Sequence, residues 1–143
     1  DTLDSLANYL SRFAQDYLRM AGVRCRLNVP LQLPALLVTA EIRHNLFLAF
    51  KEALHNVVKH SAANEVRVEL KLEQQALSLL VEDNGGGFDP AGQVEALPNA
   101  GRISDGNGLP NMQRRLMELG GVFEIRSVLE RGTTVVFSVP LPA

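Results

Sequence analysis

Between residues 66 and 81 the chain alternates. Val66, Val68, Leu70 and Leu72 interleave with Arg67, Glu69, Lys71 and Glu73, and Leu77, Leu79 and Val81 resume the pattern after a tight Glu73-Gln74-Gln75 connection. A period of two puts every apolar side chain on one face, so the segment reads as a hairpin with one buried face. So short a connection forces antiparallel pairing, because parallel neighbours need a crossover of a dozen residues or more. That excludes a Rossmann pattern. The buried face also demands a second layer to cover it.

The covering layer is legible as helices. Leu3, Leu6, Leu10, Phe13, Ala14, Tyr17 and Leu18 repeat at helical spacing up to Met20, and Gly22 breaks the run. Val23, Cys25, Leu27 and Val29 then alternate with Arg24, Arg26 and Asn28 as a strand. Pro30 and Pro34 bracket a short loop. Thr39 is an N-cap for a long helix to about His60, with Ile42, Leu46, Ala49, Ala53 and Val57 as its apolar stripe. Residues 84–108 are rich in Gly with Pro90 and Pro98 and predict no regular element; a loop of that length is usually functional, often a lid. Pro110 suits the first residue of a third helix, with Met112, Leu116 and Leu119 on its apolar side and Gly120 ending it. Strands over about 122–128 and 133–139 close the chain through Glu130-Arg131-Gly132. The order α-β-α-β-β-lid-α-β-β predicts an α/β (α+β) two-layer sandwich: a mixed, mostly antiparallel sheet packed on about three helices, in a single domain over residues 1–143.

Composition removes several classes of function. A formal net charge of -2 on 143 residues, with no basic run, gives no footprint for nucleic acid or a membrane surface. The single Cys25 cannot form an internal disulfide and reads as a small apolar residue. No apolar run approaches the ~20 residues that span a bilayer. A start at Asp1 without Met is expected of an excised domain.

Three segments carry chemistry. Glu52, Asn56 and Lys59 fall at i, i+4 and i+7 of the long helix, a polar stripe beside the apolar one. A carboxamide oxygen suits Mg²⁺, a carboxylate can orient or deprotonate a water or join the metal's outer shell, and a lysine can meet a phosphate. Alone, the stripe reads more readily as a solvated helix face. Asp83 ends a strand and opens Asp83-Asn84-Gly85-Gly86-Gly87-Phe88. It is either a turn residue or a carboxylate able to accept an exocyclic amine such as that of adenine. Gly85 and Gly87 let something lie close to the backbone or hinge the lid. Gly106-Asn107-Gly108-Leu109-Pro110 runs into a helix whose N-terminal N–H groups form a phosphate site, or simply a flexible helix start. Thr133 and Thr134 enter the last strand. His44, His55 and His60 have no metal-ligand spacing, and no Walker loop is present.

Taken together, these segments resemble the Bergerat-fold or GHKL ATPases, the group of gyrase B, Hsp90, histidine kinases and MutL. The likeness is strongest to the catalytic ATP-binding domain of two-component sensor histidine kinases, in the nitrate- and desaturase-sensor subgroup. Residues 51–60 resemble the N box, 81–88 and 106–112 the two glycine boxes, and 132–140 the closing Gly-Thr strand. The resemblance implies Mg-ATP as cofactor and a mobile lid. By it, Asn56 holds Mg²⁺; Glu52, Asn56 and Lys59 do the catalytic work, with Lys59 and His60 near the phosphate tail. Asp83 accepts the adenine amine, Gly85, Gly87 and Phe88 shape the pocket and hinge, and Gly106, Asn107, Gly108 and Leu109 face the phosphates. Thr133 and Thr134 border the base, Thr134 holding it through water. It further implies a phospho-acceptor His in an upstream dimerisation domain reached through the helix at residues 1–20, and a response regulator as partner. The full-length protein is expected to be a homodimeric, membrane-anchored sensor with this domain in the cytoplasm and monomeric when isolated, without direct contact with membrane or nucleic acid. The alternative is an anti-sigma-factor-like regulatory switch with the same motifs. The sequence departs from the subgroup in having Asn107 where His is frequent and no clear phenylalanine box.

Overall fold

A computed structural model of the chain describes residues 2–85, 108–128 and 132–141, with backbone alone at 60, 61, 108, 109 and 128. Helix α1 spans Leu3–Met20. Thr2 caps it, its side chain accepting the Ser5 N–H at 3.2 Å. Leu3, Leu6, Ala7, Leu10, Ala14 and Leu18 form its buried stripe. The chain turns at Gly22, where φ is +76°, into β1 (Arg24–Asn28). Helix α2 spans Ala40–Asn56, and the expected cap is in place: Thr39 Oγ1 accepts the Ile42 N–H at 3.1 Å.

Here the structure departs from the sequence reading. A single helix to His60 was expected. Instead α2 ends at Asn56 and Val57–Ser61 forms a π-helical turn, closed by Ala62 in the left-handed conformation. A π turn advances fewer degrees per residue than an α turn, so Lys59 falls off the line drawn by Glu52 and Asn56.

The hairpin forms as the alternation requires. Strands β2 (Glu65–Glu73) and β3 (Ala76–Asp83) pair antiparallel, Leu72 opposite Leu77 and Val68 opposite Val81. Gln74 and Gln75 both take positive φ, the conformation that matches a two-residue turn to the twist of its strands. Helix α3 runs Gly108–Glu118, so Pro110 is its third residue rather than its first. Gly120, at φ +72°, turns the chain into β4 (Val122–Val128), which pairs with β5 (Gly132–Pro140).

The five strands form one sheet in the order β1-β2-β3-β5-β4. Among the described residues only the β1–β2 pair is parallel. Among the described residues the three α-helices cover one face, with α2 between α1 and α3. The sheet's contribution to the core is Val66, Val68, Leu70, Leu77, Leu79, Val81, Val135, Phe137 and Val139; Phe50 of α2 packs into the same core. Full burial of a ring such as Phe50 or Phe137 stabilises by about 1.5–3 kcal/mol.

Strand β5 begins in close contact with the end of β3. Gly132 has φ +100°, and a Cβ built there would sit 2.1 Å from the Asp83 carbonyl oxygen. Backbone cannot yield as the end of a flexible side chain can, and the positive φ adds strain for any residue with a Cβ. Gly132→Ala is therefore expected to destabilise the fold by about 2 kcal/mol or more, by the combined clash and strain. Urea denaturation measures this, and an unchanged midpoint would show that the strands do not approach so closely.

Candidate functional site

The inner face of the sheet is apolar until its last rung. Asp83 of β3 lies opposite Thr133 of β5, and Thr133 lies opposite Ser127 of β4. On the preceding rung Val81 faces Val135, and Val135 faces Ile125. Alternation thus delivers a row of three polar side chains, Asp83, Thr133 and Ser127, at one end of an apolar floor.

Asp83 is only 5% exposed. One of its carboxylate oxygens accepts the Gly85 N–H at 2.8 Å, and the Thr133 N–H is a second donor. Burial raises its pKa; the two N–H groups pull it back down, and the neighbouring charge of Glu82 raises it again, with a net upward shift. Such a group is an acceptor held in place by two donors, with lone-pair capacity beyond them. Asn84 fastens the frame. Its Oδ1 accepts the N–H groups of Asn64 and Glu65, each at 3.1 Å, and its Nδ2 donates to Asn64 Oδ1 at 2.7 Å. The segment that follows the π turn is thereby clipped to the end of β3.

Thr134 differs from the sequence reading. It pairs with Glu82 and faces away from the helices, its hydroxyl donating to Glu82 Oε2 at 3.1 Å. With Arg26, Arg67, Arg126 and Glu65 it borders a depression of about 470 Å³ on the outer face. Thr133, not Thr134, shares the face of Asp83; its hydroxyl lies 2.8 Å from Ser127 Oγ. Two adjacent threonines hide this choice from motif reading, and only the strand register resolves it.

On α2, Glu52 and Asn56 stand one turn apart. Asn56 Oδ1 is buried and has no hydrogen-bond partner among the described residues. A buried carbonyl oxygen left unmatched loses about 1–3 kcal/mol of hydrogen bonding, and it suits a hard cation. Among the described residues no group of three or more His, Cys, Asp and Glu could hold a metal alone. A single carboxamide donor fits Mg²⁺ brought in with phosphates, which needs few protein ligands. Glu52 is half-buried near Tyr17 of α1, whose hydroxyl pKa is raised by burial and further by the Glu52 charge. Tyr17 Oη lies 3.2 Å from His55 Nδ1, which gives His55 a structural role against α1. Lys59 is exposed on the π turn. Gly108 opens α3, whose N-terminal N–H groups suit an anion. Gly87, Phe88, Gly106 and Asn107 lie outside the described residues, as do the side chains of His60 and Leu109.

The buried acceptor on the sheet and the unmatched oxygen on α2, the helix that covers that face, both lie in a region that matches one family. The histidine kinase-, DNA gyrase B-, and HSP90-like ATPases match residues 41–143. The chain belongs to that family. It is 38% identical over 104 residues to the sensor histidine kinase LiaS of Bacillus subtilis, covering 73% of this chain and 26% of LiaS. To the sensor protein VraS of Staphylococcus saprophyticus it is 34% identical over 100 residues, 70% of this chain and 26% of VraS. The matches thus span about a quarter of these relatives' length. In fold, the histidine kinase domain of the blue-light-activated kinase of Erythrobacter litoralis superposes with a TM-score of 0.73 at 21% identity, covering 95% of this chain and 61% of that one. ShkA, solved full-length with AMPPNP, superposes at 0.76 and 20% identity, covering 99% of this chain and 30% of that one. Among the described residues no helix is long and apolar enough to cross a membrane.

The raised pKa of Asp83 separates stability from binding. A carboxyl that protonates more readily folded than unfolded makes no difference to stability below its ordinary pKa and destabilises the fold as pH rises above it. Asp83→Asn keeps an acceptor for the two N–H groups and removes the buried charge. It is expected to melt at or above the wild-type temperature at neutral pH. That advantage fades as pH falls through the carboxyl range. The same variant should bind adenosine and ATP at least ~10-fold more weakly, loss of a hydrogen bond to a charged acceptor being about 1.5–3 kcal/mol. Calorimetry of both ligands and a melting series in pH check the pair of outcomes.

Proposed function

We propose that this chain is the ATP-binding catalytic domain of a sensor histidine kinase. It would deliver the γ-phosphoryl group to a histidine on another domain. The unmatched Oδ1 of Asn56 carries the reading: its loss of hydrogen bonding is relieved by a cation, and its neighbour one turn away is a carboxylate. The names of the sensor kinase relatives support the same conclusion.

The residues divide the work. Asp83 accepts the amine of the base, and Thr133 supports the base from the adjacent strand through a water. The glycine segment from Gly85 lets the ring approach the backbone. Asn56 would hold Mg²⁺. The N–H groups at the start of α3 and the side chain of Lys59 face the phosphates; Gly87, Phe88, His60, Gly106, Asn107 and Leu109 complete the pocket and lid. Bound Mg-ATP supplies the transferable phosphoryl group and neutralises its developing charge, so the protein's task is chiefly positioning and electrostatic support. Glu52, one turn before Asn56 on α2, would take the proton from, or align, the attacking nitrogen.

The partners follow from that chemistry. The acceptor histidine belongs to a dimerisation domain, and a response regulator receives the phosphoryl group from it. The full-length protein would be a homodimer anchored in the membrane, with this domain on the cytoplasmic side where ATP is found.

In the full-length protein, incubation with γ-labelled ATP and Mg²⁺ should leave an acid-labile, base-stable label, the signature of phosphohistidine. Asn56→Ala is expected to abolish labelling and Mg-dependent ATP binding while leaving the melting temperature near wild type. Glu52→Gln should retain ATP binding and slow labelling by about 10²–10⁴-fold, the usual range for a lost proton acceptor. Release of free phosphate without labelled protein would replace the kinase reading with a hydrolytic one.

A further inference from the structure

Resting on the ATP reading, we infer that Ser127 is a positioning residue for base recognition. It acts through the hydroxyl of Thr133 and sharpens the preference for a 6-aminopurine over a 6-oxopurine. No motif resemblance points to Ser127; its place in the sheet does.

Ser127 is buried, at 9% exposure, on the rung that carries Asp83 and Thr133. Its Oγ lies 2.8 Å from Thr133 Oγ1 and 3.4 Å from the Gly132 carbonyl. The two distances rank the acceptors open to Ser127. A separation of 2.8 Å is the ordinary length of a hydroxyl–hydroxyl bond, whereas 3.4 Å makes the Gly132 carbonyl the weaker of the two acceptors open to Ser127. Either hydroxyl can donate in the short bond. The buried carboxyl of Asp83 at the end of the row breaks the tie, since its negative charge draws protons toward it. Ser127 therefore donates to Thr133 Oγ1, and the Thr133 proton turns toward the side of Asp83. Hydroxyls linked in this way polarise one another and strengthen the terminal donor.

The result is an acceptor beside a donor: the Asp83 carboxylate and the Thr133 O–H, direct or relayed by one water. A 6-aminopurine presents an amine donor beside a ring-nitrogen acceptor, which matches. A 6-oxopurine presents a carbonyl acceptor beside a ring N–H donor, which reverses both contacts. Without Ser127 the Thr133 hydroxyl rotates freely and part of that discrimination is lost.

The test uses this chain with Mg-ATP and Mg-ITP, their affinities measured by calorimetry. Ser127→Ala is expected to weaken ATP by about 2–10-fold, the range of one ordinary hydrogen bond, and to leave ITP within about 2-fold. The ATP-to-ITP preference thus contracts. Ser127→Thr restores the hydroxyl and the preference. In a Thr133→Val background, Ser127→Ala changes the preference no further. An unchanged preference in Ser127→Ala, or the same contraction with Thr133 already replaced, overturns the role of Ser127. If Ser127→Ala fails to fold, Ser127→Cys, a nearly isosteric but weak donor, decides by the same ratio. A wild-type chain that binds neither nucleotide overturns the ATP reading itself.

Discussion

The register between β3 and β5 is the constraint on which the rest of the molecule depends. It sets Val81 opposite Val135, Leu79 opposite Phe137 and Leu77 opposite Val139, so three rungs of apolar pairs meet the helices. A slip of one residue would turn Val135, Phe137 and Val139 out to solvent and carry Thr134 inward in place of Thr133. The core therefore selects the register by many kilocalories, and the site inherits it. Gly132 locks the same choice from the backbone, because its missing Cβ is what lets β5 start against the Asp83 carbonyl. Packing and recognition are in this sense one decision, made by the sheet.

Where that register runs out of apolar pairs, the sheet changes character in a single step. Asp83 keeps its geometry through the N–H groups of Gly85 and Thr133, while burial raises its pKa and makes its charge unfavourable to the fold. Asn56 repeats the logic on α2, with a buried oxygen unmatched among the described residues. Structural polar groups in a core are ordinarily satisfied. The Asn56 oxygen, which is not satisfied among the described residues, is better explained by what it receives than by what it holds together.

Much of this was legible in the sequence. The 66–81 alternation, the Thr39 cap, the apolar stripes of α1 and α2 and the element order all rest on local periodicity, and local periodicity survives folding. Motif spacing likewise singled out Asn56 and Asp83. What stayed hidden was set by three-dimensional pairing. Choosing between Thr133 and Thr134 needs the β3–β5 register, and the motif supplies only the pair. Ser127 belongs to an unremarkable strand and gains meaning only as the neighbour of Thr133. The π turn at Val57–Ser61 has no period of its own in five residues, so the helix was read through it, and Lys59 was placed on a line it does not keep. Asn84 looked like part of a turn; its three side-chain bonds are to residues some twenty positions earlier.

The unsatisfied oxygen also bears on how such a domain responds to its ligand. An ordinary buried hydrogen bond left unmade loses about 1–3 kcal/mol, against a total stability of about 5–15 kcal/mol for a domain of this size. On the proposed reading, a cation at Asn56 Oδ1 would return that energy only to the folded, bound state, so binding and stability would be linked there. The linkage is uneven across the molecule. The β3–β5 floor is held by apolar pairs and is already formed without ligand, whereas the corner at Asn56 sits where α2 gives way to a π turn, a looser hydrogen-bonding pattern than the helix before it. On the proposed function, base recognition would rest on the rigid layer and the metal corner on the layer better able to adjust. A phosphoryl-transfer domain needs that division: one end that holds the nucleotide in place, and one that settles around phosphates and metal as the acceptor arrives.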